Sequence, residues 1–300
     1  VLVRFVLDVE EFVQEAGAFL SGAAERNVLA TVTDTVLAHS RSSDGVANPY
    51  GTEPAIFALG IDSAAGEVVA AALRTPPYPM LATGFGDADA AEQLISAWLA
   101  RDPQLPGVSA QTSTARAICD AWARRVRGVT ELAVSEAMHD LTAVVMPADP
   151  PGGALRLVTP GERALLVSWL IEFSIEAHMG DASRAELMAD LGIDGQRVYF
   201  WEDPDPVSVV GHALAVGDVM RVGPVYTPPA CRGRGYASAA VASLSQRLLD
   251  DGASRCMLFT DLSNPTSNKI YDALGYRRFA DWEERRFLPH SGALAPAATD

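Results

Sequence analysis

The stretch Arg232-Gly233-Arg234-Gly235-Tyr236-Ala237 lies between an extended segment ending Val225-Tyr226-Thr227 and an apolar run, Ala237, Ala240, Val241, Leu244 and Leu248, at helical spacing. Gly252 closes that run, as suits the left-handed position just past a helix end. The glycines therefore fall at the first turn of a helix. Peptide N–H groups there have no partner within the helix and lie at the positive end of its dipole. Glycine lets an anion approach them closely, and arginine on both sides adds charge, so the stretch reads as a phosphate cradle. A basic, glycine-rich turn alone also fits a solvated surface loop; context must choose.

That context is downstream, where a strand-like Cys256-Met257-Leu258-Phe259-Thr260 leads into Asn264-Pro265-Thr266-Ser267-Asn268-Lys269-Ile270-Tyr271-Asp272-Ala273-Leu274-Gly275-Tyr276. Together the two stretches resemble the paired motifs of the GNAT superfamily of acyl-CoA N-acyltransferases. The first is R/Q-x-x-G-x-G/A on the loop after the fourth strand; the second is N-x6-Y-x3-G-[FY] across the next helix. Both are complete, in order and on the expected elements, and the resemblance covers roughly residues 154 to 289.

The resemblance implies an α/β fold of the mixed, α+β type: a central twisted, mostly antiparallel sheet flanked by helices, with the fourth strand splayed from the fifth. It implies acetyl-CoA as cosubstrate, with no metal, and transfer of the acetyl group to a primary amine of a small molecule or peptide by direct attack in a ternary complex. Backbone around Val225, Tyr226 and Thr227 would pair with the pantetheine arm. Amides from Gly233 through Arg234, Gly235, Tyr236 and Ala237 to Ser238, with Arg232 alongside, would hold the pyrophosphate. Asn264 would bind pantetheine amides or backbone near the splay, Asn268 belongs to the same cosubstrate-binding set, and Tyr271 would put its hydroxyl beside the thioester sulfur.

The chemistry suits these residue types. An amine attacks the carbonyl, an oxyanion develops and a thiolate leaves; a backbone N–H near Val225 or Tyr226 stabilises the oxyanion without reorganising. A phenol, with a reference pKa of about 10 against about 8.5 for a thiol, either protonates the departing sulfur as general acid or hydrogen-bonds it.

On the acceptor side, Thr159-Pro160-Gly161-Glu162 reads as a capping box opening a helix to about Ala177, with Leu166, Leu170 and Phe173 on one stripe. Glu172 and Glu176 lie four apart near its negative end, an arrangement that costs a few tenths of a kcal/mol in an isolated helix. They are candidates for binding a cationic amine or relaying its proton, with a solvated carboxylate pair as the other reading. His212 and Asp218 are weaker base candidates, and His178 is placed to offset the helix dipole. Trp169, Phe173 and Trp201 fit either a pocket wall or core, and Trp201-Glu202-Asp203-Pro204 reads as a hairpin turn.

Composition bounds the rest. Three hundred residues with 49% apolar and 20% charged content suffice for two cores. A net charge of -15 argues against a nucleic-acid surface and favours amines over acidic substrates. Three widely spaced cysteines, Cys119, Cys231 and Cys256, in no metal-binding pattern, suit a reducing cytoplasm. The opening Val1 to Leu7 lacks the pattern of a signal peptide, and no run approaches membrane-spanning length.

Turn formers at Pro147-Ala148-Asp149-Pro150-Pro151-Gly152-Gly153 suggest a linker at 147–153 between a domain at 1–146 and a catalytic domain at 154–290, with a flexible tail at 291–300. The first half shows helical patterns at Val9 to Leu20 and Ala23 to Ala38, strands at Ala55 to Gly60 and Val68 to Arg74, and a helix at Asp89 to Ala100. An extended Val108 to Gln111 and a helix from Thr114 follow, so the order echoes the second half as a repeat. A shift of 152 lays Ile118 to Trp122 over Ile270 to Leu274 and Thr75-Pro76-Pro77 over Thr227-Pro228-Pro229. It puts Cys119 where Tyr271 stands and Thr112 where Asn264 stands, while Gly84-Phe85-Gly86 runs into Asp87 and Asp89, which repel a pyrophosphate. The expectation is a tandem GNAT-like chain, two such domains with only the second active. A mycothiol-synthase-like acetyltransferase, from an actinobacterial family that also joins two such halves, and a non-catalytic acyl-CoA-binding sensor are the alternatives; Lys269 as sole lysine suits a GC-rich genome.

Overall fold

A computed structural model describes residues 1–42, 48–177, 184–213 and 215–289. The chain folds into two compact units, Val1–Ser135 with the segment from Asp281, and Glu136–Ala280.

The first unit runs β1 (Leu2–Val6), α1 (Val9–Ser21), α2 (Asn27–Ser42), β2 (Ile56–Ile61), β3 (Val68–Arg74), β4 (Met80–Thr83), α3 (Ala88–Arg101), β5 (Gly107–Gln111) and α4 (Thr112–Val126). Asp8 caps α1 by accepting from the Glu11 amide, and Val9, Phe12, Ala16 and Leu20 bury one stripe. Strands β1 to β4 are antiparallel neighbours in order, and β4 pairs β5 in parallel across the α3 crossover. The chain then enters β6 (Val129–Leu141), whose last residues lie in the second unit.

The second unit continues with β7 (Ala154–Leu157), α5 (Arg163–Glu176), α6 (Arg184–Asp194), β8 (Val198–Glu202), β9 (Pro206–His212), β10 (Val219–Tyr226), α7 (Tyr236–Asp250), β11 (Arg255–Asp261), α8 (Pro265–Ala273) and β12 (Arg277–Leu288). Strands β7 to β10 are antiparallel neighbours, β10 pairs β11 in parallel, and residues 136–141 of β6 close the sheet against β11. Residues 282–286 of β12 close the first unit's sheet against β5 in the same way. The repeat expected from sequence is thus a repeat of topology: a mixed, mostly antiparallel sheet with flanking helices, twice.

Period-two alternation builds the second unit's core. Tyr199, Trp201 and Val210 pack with α7 and α8, whereas Val198, Phe200 and Val209 pack with α5 and α6. The capping box forms, Glu162 accepting from the Thr159 amide at 2.9 Å, and Gly252 takes its left-handed φ of 107° just past α7.

Two sequence expectations are revised. The unit boundaries fall at Ser135/Glu136 and Ala280/Asp281, not at 146 and 290, because β6 and β12 are single long strands that run across them. Pro147 to Gly153 therefore lies inside the second unit. The match of Thr75-Pro76-Pro77 to Thr227-Pro228-Pro229 fails: the former joins β3 to β4, the latter follows β10. The match of Ile118–Trp122 to Ile270–Leu274 does pair equivalent helices, α4 and α8. The tail from 290 and His178 lie outside the described residues.

Candidate functional site

Strands β10 and β11 are paired only at Val219↔Arg255, Met220↔Cys256 and Arg221↔Met257. Beyond Arg221 the β11-facing edge of β10 pairs with no strand among the described residues, while its other edge stays with β9 at Val225↔Val210 and Tyr226↔Val209. A bulge between Val222 and Val225 contains Gly223 at φ 143°, a backbone that needs glycine, and bends β10 where the strands part. Val225, Tyr226 and Thr227 thus form the exposed-edge segment, with Ser208 Oγ donating to the Tyr226 carbonyl at 3.0 Å and 2.8 Å from Thr227 Oγ1.

After Pro228 a short 3-10 turn, Pro229–Cys231, delivers Arg232 in an extended conformation. Gly233 and Gly235 follow at φ 75° and 81°, and Gly235 is the N-cap of α7 without any capping side chain. Nothing lies within 4 Å of where a Cβ on Gly233 would stand, so the glycine loop offers room for a bulky anion. The amides of Tyr236, Ala237 and Ser238 are the first-turn donors of this helix, and Arg234 is exposed beside them. The Tyr236 hydroxyl donates to Asp203 Oδ2 at 2.8 Å, which raises its pKa. Arg232 points its bonds elsewhere: Nε to the Thr227 carbonyl at 2.8 Å and Nη2 to both Glu176 oxygens at 2.7 and 2.8 Å.

The second motif sits on α8. Asn264 is its N-cap, Oδ1 accepting from the Ser267 amide at 3.1 Å. Asn268 is used within the fold, accepting from Thr260 Oγ1 at 2.9 Å and donating to the Asp261 carbonyl at 3.3 Å, so it stitches α8 to β11. Tyr271 is buried against Leu258, Leu274 and Tyr276, with its ring 5.9 Å from that of Tyr276. Its hydroxyl has no hydrogen-bond partner among the described residues, and burial pushes its pKa up to about 12.

Glu172 and Glu176 are brought to this same end of β10. Tyr226 donates its hydroxyl to Glu172 at 2.6 Å; burial first, then that carboxylate, push the phenol up to about 12. Trp169 is core, its ring edge-on to Phe200, and Phe173 packs on the same cluster. Trp201 is buried too, and donates to the Gly152 carbonyl at 2.9 Å. His212 has Nδ1 2.9 Å from the Ala213 carbonyl and is held below its usual pKa by burial. Asp218 offers its backbone carbonyl to the Ser254 amide. Sequence reasoning did not single out Ser208 and marked Asp203 only as a turn residue; both reach the strand end and the loop through tertiary contact.

An unpaired strand edge thus leads to a bare helix start, and the next helix carries a buried tyrosine. Residues 165–276 match the Acetyltransferase (GNAT) family model, and this region is a GNAT domain. Mycothiol acetyltransferase of Paenarthrobacter aurescens (strain TC1) is 28% identical over 172 residues, 50% of this chain and 50% of that protein, so the chain spans about half the length of the curated relative it matches. A GNAT-family acetyltransferase from Colwellia psychrerythraea shares the fold at TM-score 0.56 and 10% identity, over 96% of this chain and 99% of that one. A tandem GNAT protein from the clavulanic acid biosynthesis pathway does so at TM-score 0.54 and 13% identity, over 95% and 98%.

Proposed function

We propose that the second unit moves an acetyl group from acetyl-CoA to a primary amine of a small molecule or peptide, by direct attack in a ternary complex. The carrying observation is the unpaired edge of β10 beyond Arg221, which leads to the uncapped start of α7. That edge offers peptide groups to the pantetheine amides as an added strand would, and the amides of the glycine loop and the first turn of α7, from Gly233 to Ser238, with the Arg234 side chain, offer donors to the pyrophosphate. Asn264 keeps its amide donors for the same arm, and an N–H of the Val225–Tyr226 segment holds the oxyanion.

Tyr271 acts on the leaving sulfur. A phenol that burial pushes up to about 12 stays protonated throughout the working range, so Tyr271 has a proton to give to the departing sulfur as general acid, or to share with it in a hydrogen bond, as charge develops there. Glu172 retains acceptor capacity beyond its one bond to Tyr226 and is the carboxylate available to a cationic amine. The first unit is a silent copy in this reading, and three free cysteines fit a reducing cytoplasm. Among the described residues no helix is long and apolar enough to cross a membrane.

Thiol release from acetyl-CoA on adding a panel of amines tests the proposal. Release with at least one amine supports it; binding without release for every amine favours a sensor. The 28% identity over half of each chain with a mycothiol acetyltransferase favours a second reading, a mycothiol-synthase-like acetyltransferase.

A further inference from the structure

Two carboxylates that lie outside the glycine loop hold its two ends. Before the glycines, Glu176 on α5 accepts both Nη2 bonds of Arg232, whose Nε is tied to the Thr227 carbonyl and whose guanidinium lies 5.6 Å from the Tyr226 ring centre. After them, Asp203 in the turn between β8 and β9 accepts from the Tyr236 hydroxyl. The segment before β7 lies against both turn and loop: Trp201, just before that turn, donates to the Gly152 carbonyl, and Pro151 stands 3.5 Å from where a Cβ on Gly235 would be.

A glycine-rich segment has the most backbone freedom to lose, and a ligand must meet that cost on binding unless the fold has met it already. Between the anchors Pro151 stands beside Gly235, but nothing lies within 4 Å of where a Cβ on Gly233 would be, so packing leaves that glycine unconstrained. We propose that Glu176 and Asp203 are positioning residues that pre-order the CoA phosphate loop, Glu176 through Arg232 and Asp203 through Tyr236. This rests on reading the loop as the CoA cradle. It gives Glu176 a role on the cosubstrate side, and makes Arg232 a strut and not a phosphate ligand.

The test is calorimetric titration of CoA into the full chain and into its Glu176→Gln, Asp203→Ala and Tyr236→Phe variants, with acetyl-CoA and acceptor KM measured alongside. Tyr236→Phe breaks the second anchor while leaving the turn's own sequence intact. The expected result is a CoA Kd weaker by about two- to fivefold for Glu176→Gln, as suits a half-exposed pair. For Asp203→Ala and Tyr236→Phe it is about fivefold or more. The acetyl-CoA KM should rise in step and the acceptor KM stay put. Unchanged Kd in all three variants overturns the inference. Tighter CoA binding by Glu176→Gln overturns it in favour of an arginine withheld from phosphate, and a raised acceptor KM with unchanged CoA Kd places Glu176 on the acceptor side. Absence of any CoA binding by the wild-type chain removes the underlying functional reading, a separate and distinguishable failure.

Discussion

The starts of α3 and α7 occupy equivalent places in the two units, each between the two parallel strands of its sheet, and they are finished in opposite ways. At α3 the Asp87 side chain is the cap, Oδ1 accepting from the amides of Asp89 and Ala90 at 3.0 and 3.1 Å. At α7 the cap is Gly235, with no side chain to offer. The strands differ in parallel: β4 and β5 remain paired through Ala82↔Ala110, close to their ends, whereas β10 and β11 part after Arg221↔Met257. Even the loop glycine of the first unit is spent on packing, since a Cβ on Gly84 would sit 2.3 Å from the Val69 carbonyl. One topology therefore carries one helix start capped by its own carboxylate and one with no side-chain cap. A carboxylate supplies both the hydrogen bonds and the charge a phosphate would bring, so on the proposed function Asp87 stands in the first unit where the second would take an anion.

The contrast can be broken most forcefully by moving that carboxylate. Gly233→Asp, at a position with open space and a φ that aspartate tolerates better than most residues, should weaken CoA binding by about 100-fold or more, measured by calorimetry. Next, Tyr271→Phe should lower kcat by about 10²-fold at saturating acetyl-CoA with little change in its KM, because the hydroxyl acts on a charge that exists only in the transition state. An unchanged kcat would remove Tyr271 from the chemistry. Asp87→Ala should cost the first unit about 1 kcal/mol in a denaturation experiment. It should create no CoA site, since the strands there stay closed.

A smaller effect separates the units by pH. His139, buried on β6, and His212 are both held below their usual pKa of about 6.5 chiefly by burial, which outweighs the backbone hydrogen bonds with Ala137 and Ala213. Asp272, Arg278 and Asp140 face His139, and Arg197 and Arg247 face His212. The folded second unit keeps these rings neutral where the unfolded chain takes up protons. The stability they contribute is present above about pH 6.5 and is lost as pH falls through their folded values. Melting of the second unit should therefore decline on acidification from pH 7 to 5, and His139→Phe should flatten that decline. An equal decline in the variant would mean the imidazole is not its source.

Much of this was legible because the deciding signals are local. The α7 stripe, the capping box at Thr159–Glu162 and the run from Asn264 to Tyr276 each span about one helix, and Val68–Arg74 reads as a strand over the residues that form β3. The long strands β6 and β12 were not legible. Residues 129–135 of β6 belong to one unit and 136–141 to the other, so no single alternation runs its length, and β12 is crowded with charge at Arg277, Arg278, Glu283, Glu284, Arg285 and Arg286. Hence the sequence puts the boundary at the turn-rich Pro147–Gly153, a segment that lies inside the second unit with Pro151 beside Gly235. The partners of Glu172, Glu176 and Asp203 lie 33 to 56 residues away in sequence, and no spacing rule reaches that far.

The most direct test of the contrast between the two helix starts is the stoichiometry of CoA binding to the full chain. Calorimetric titration should give one site per chain, abolished by Gly233→Asp and preserved in Asp87→Ala. Two sites, or a single site that survives Gly233→Asp, would contradict the account.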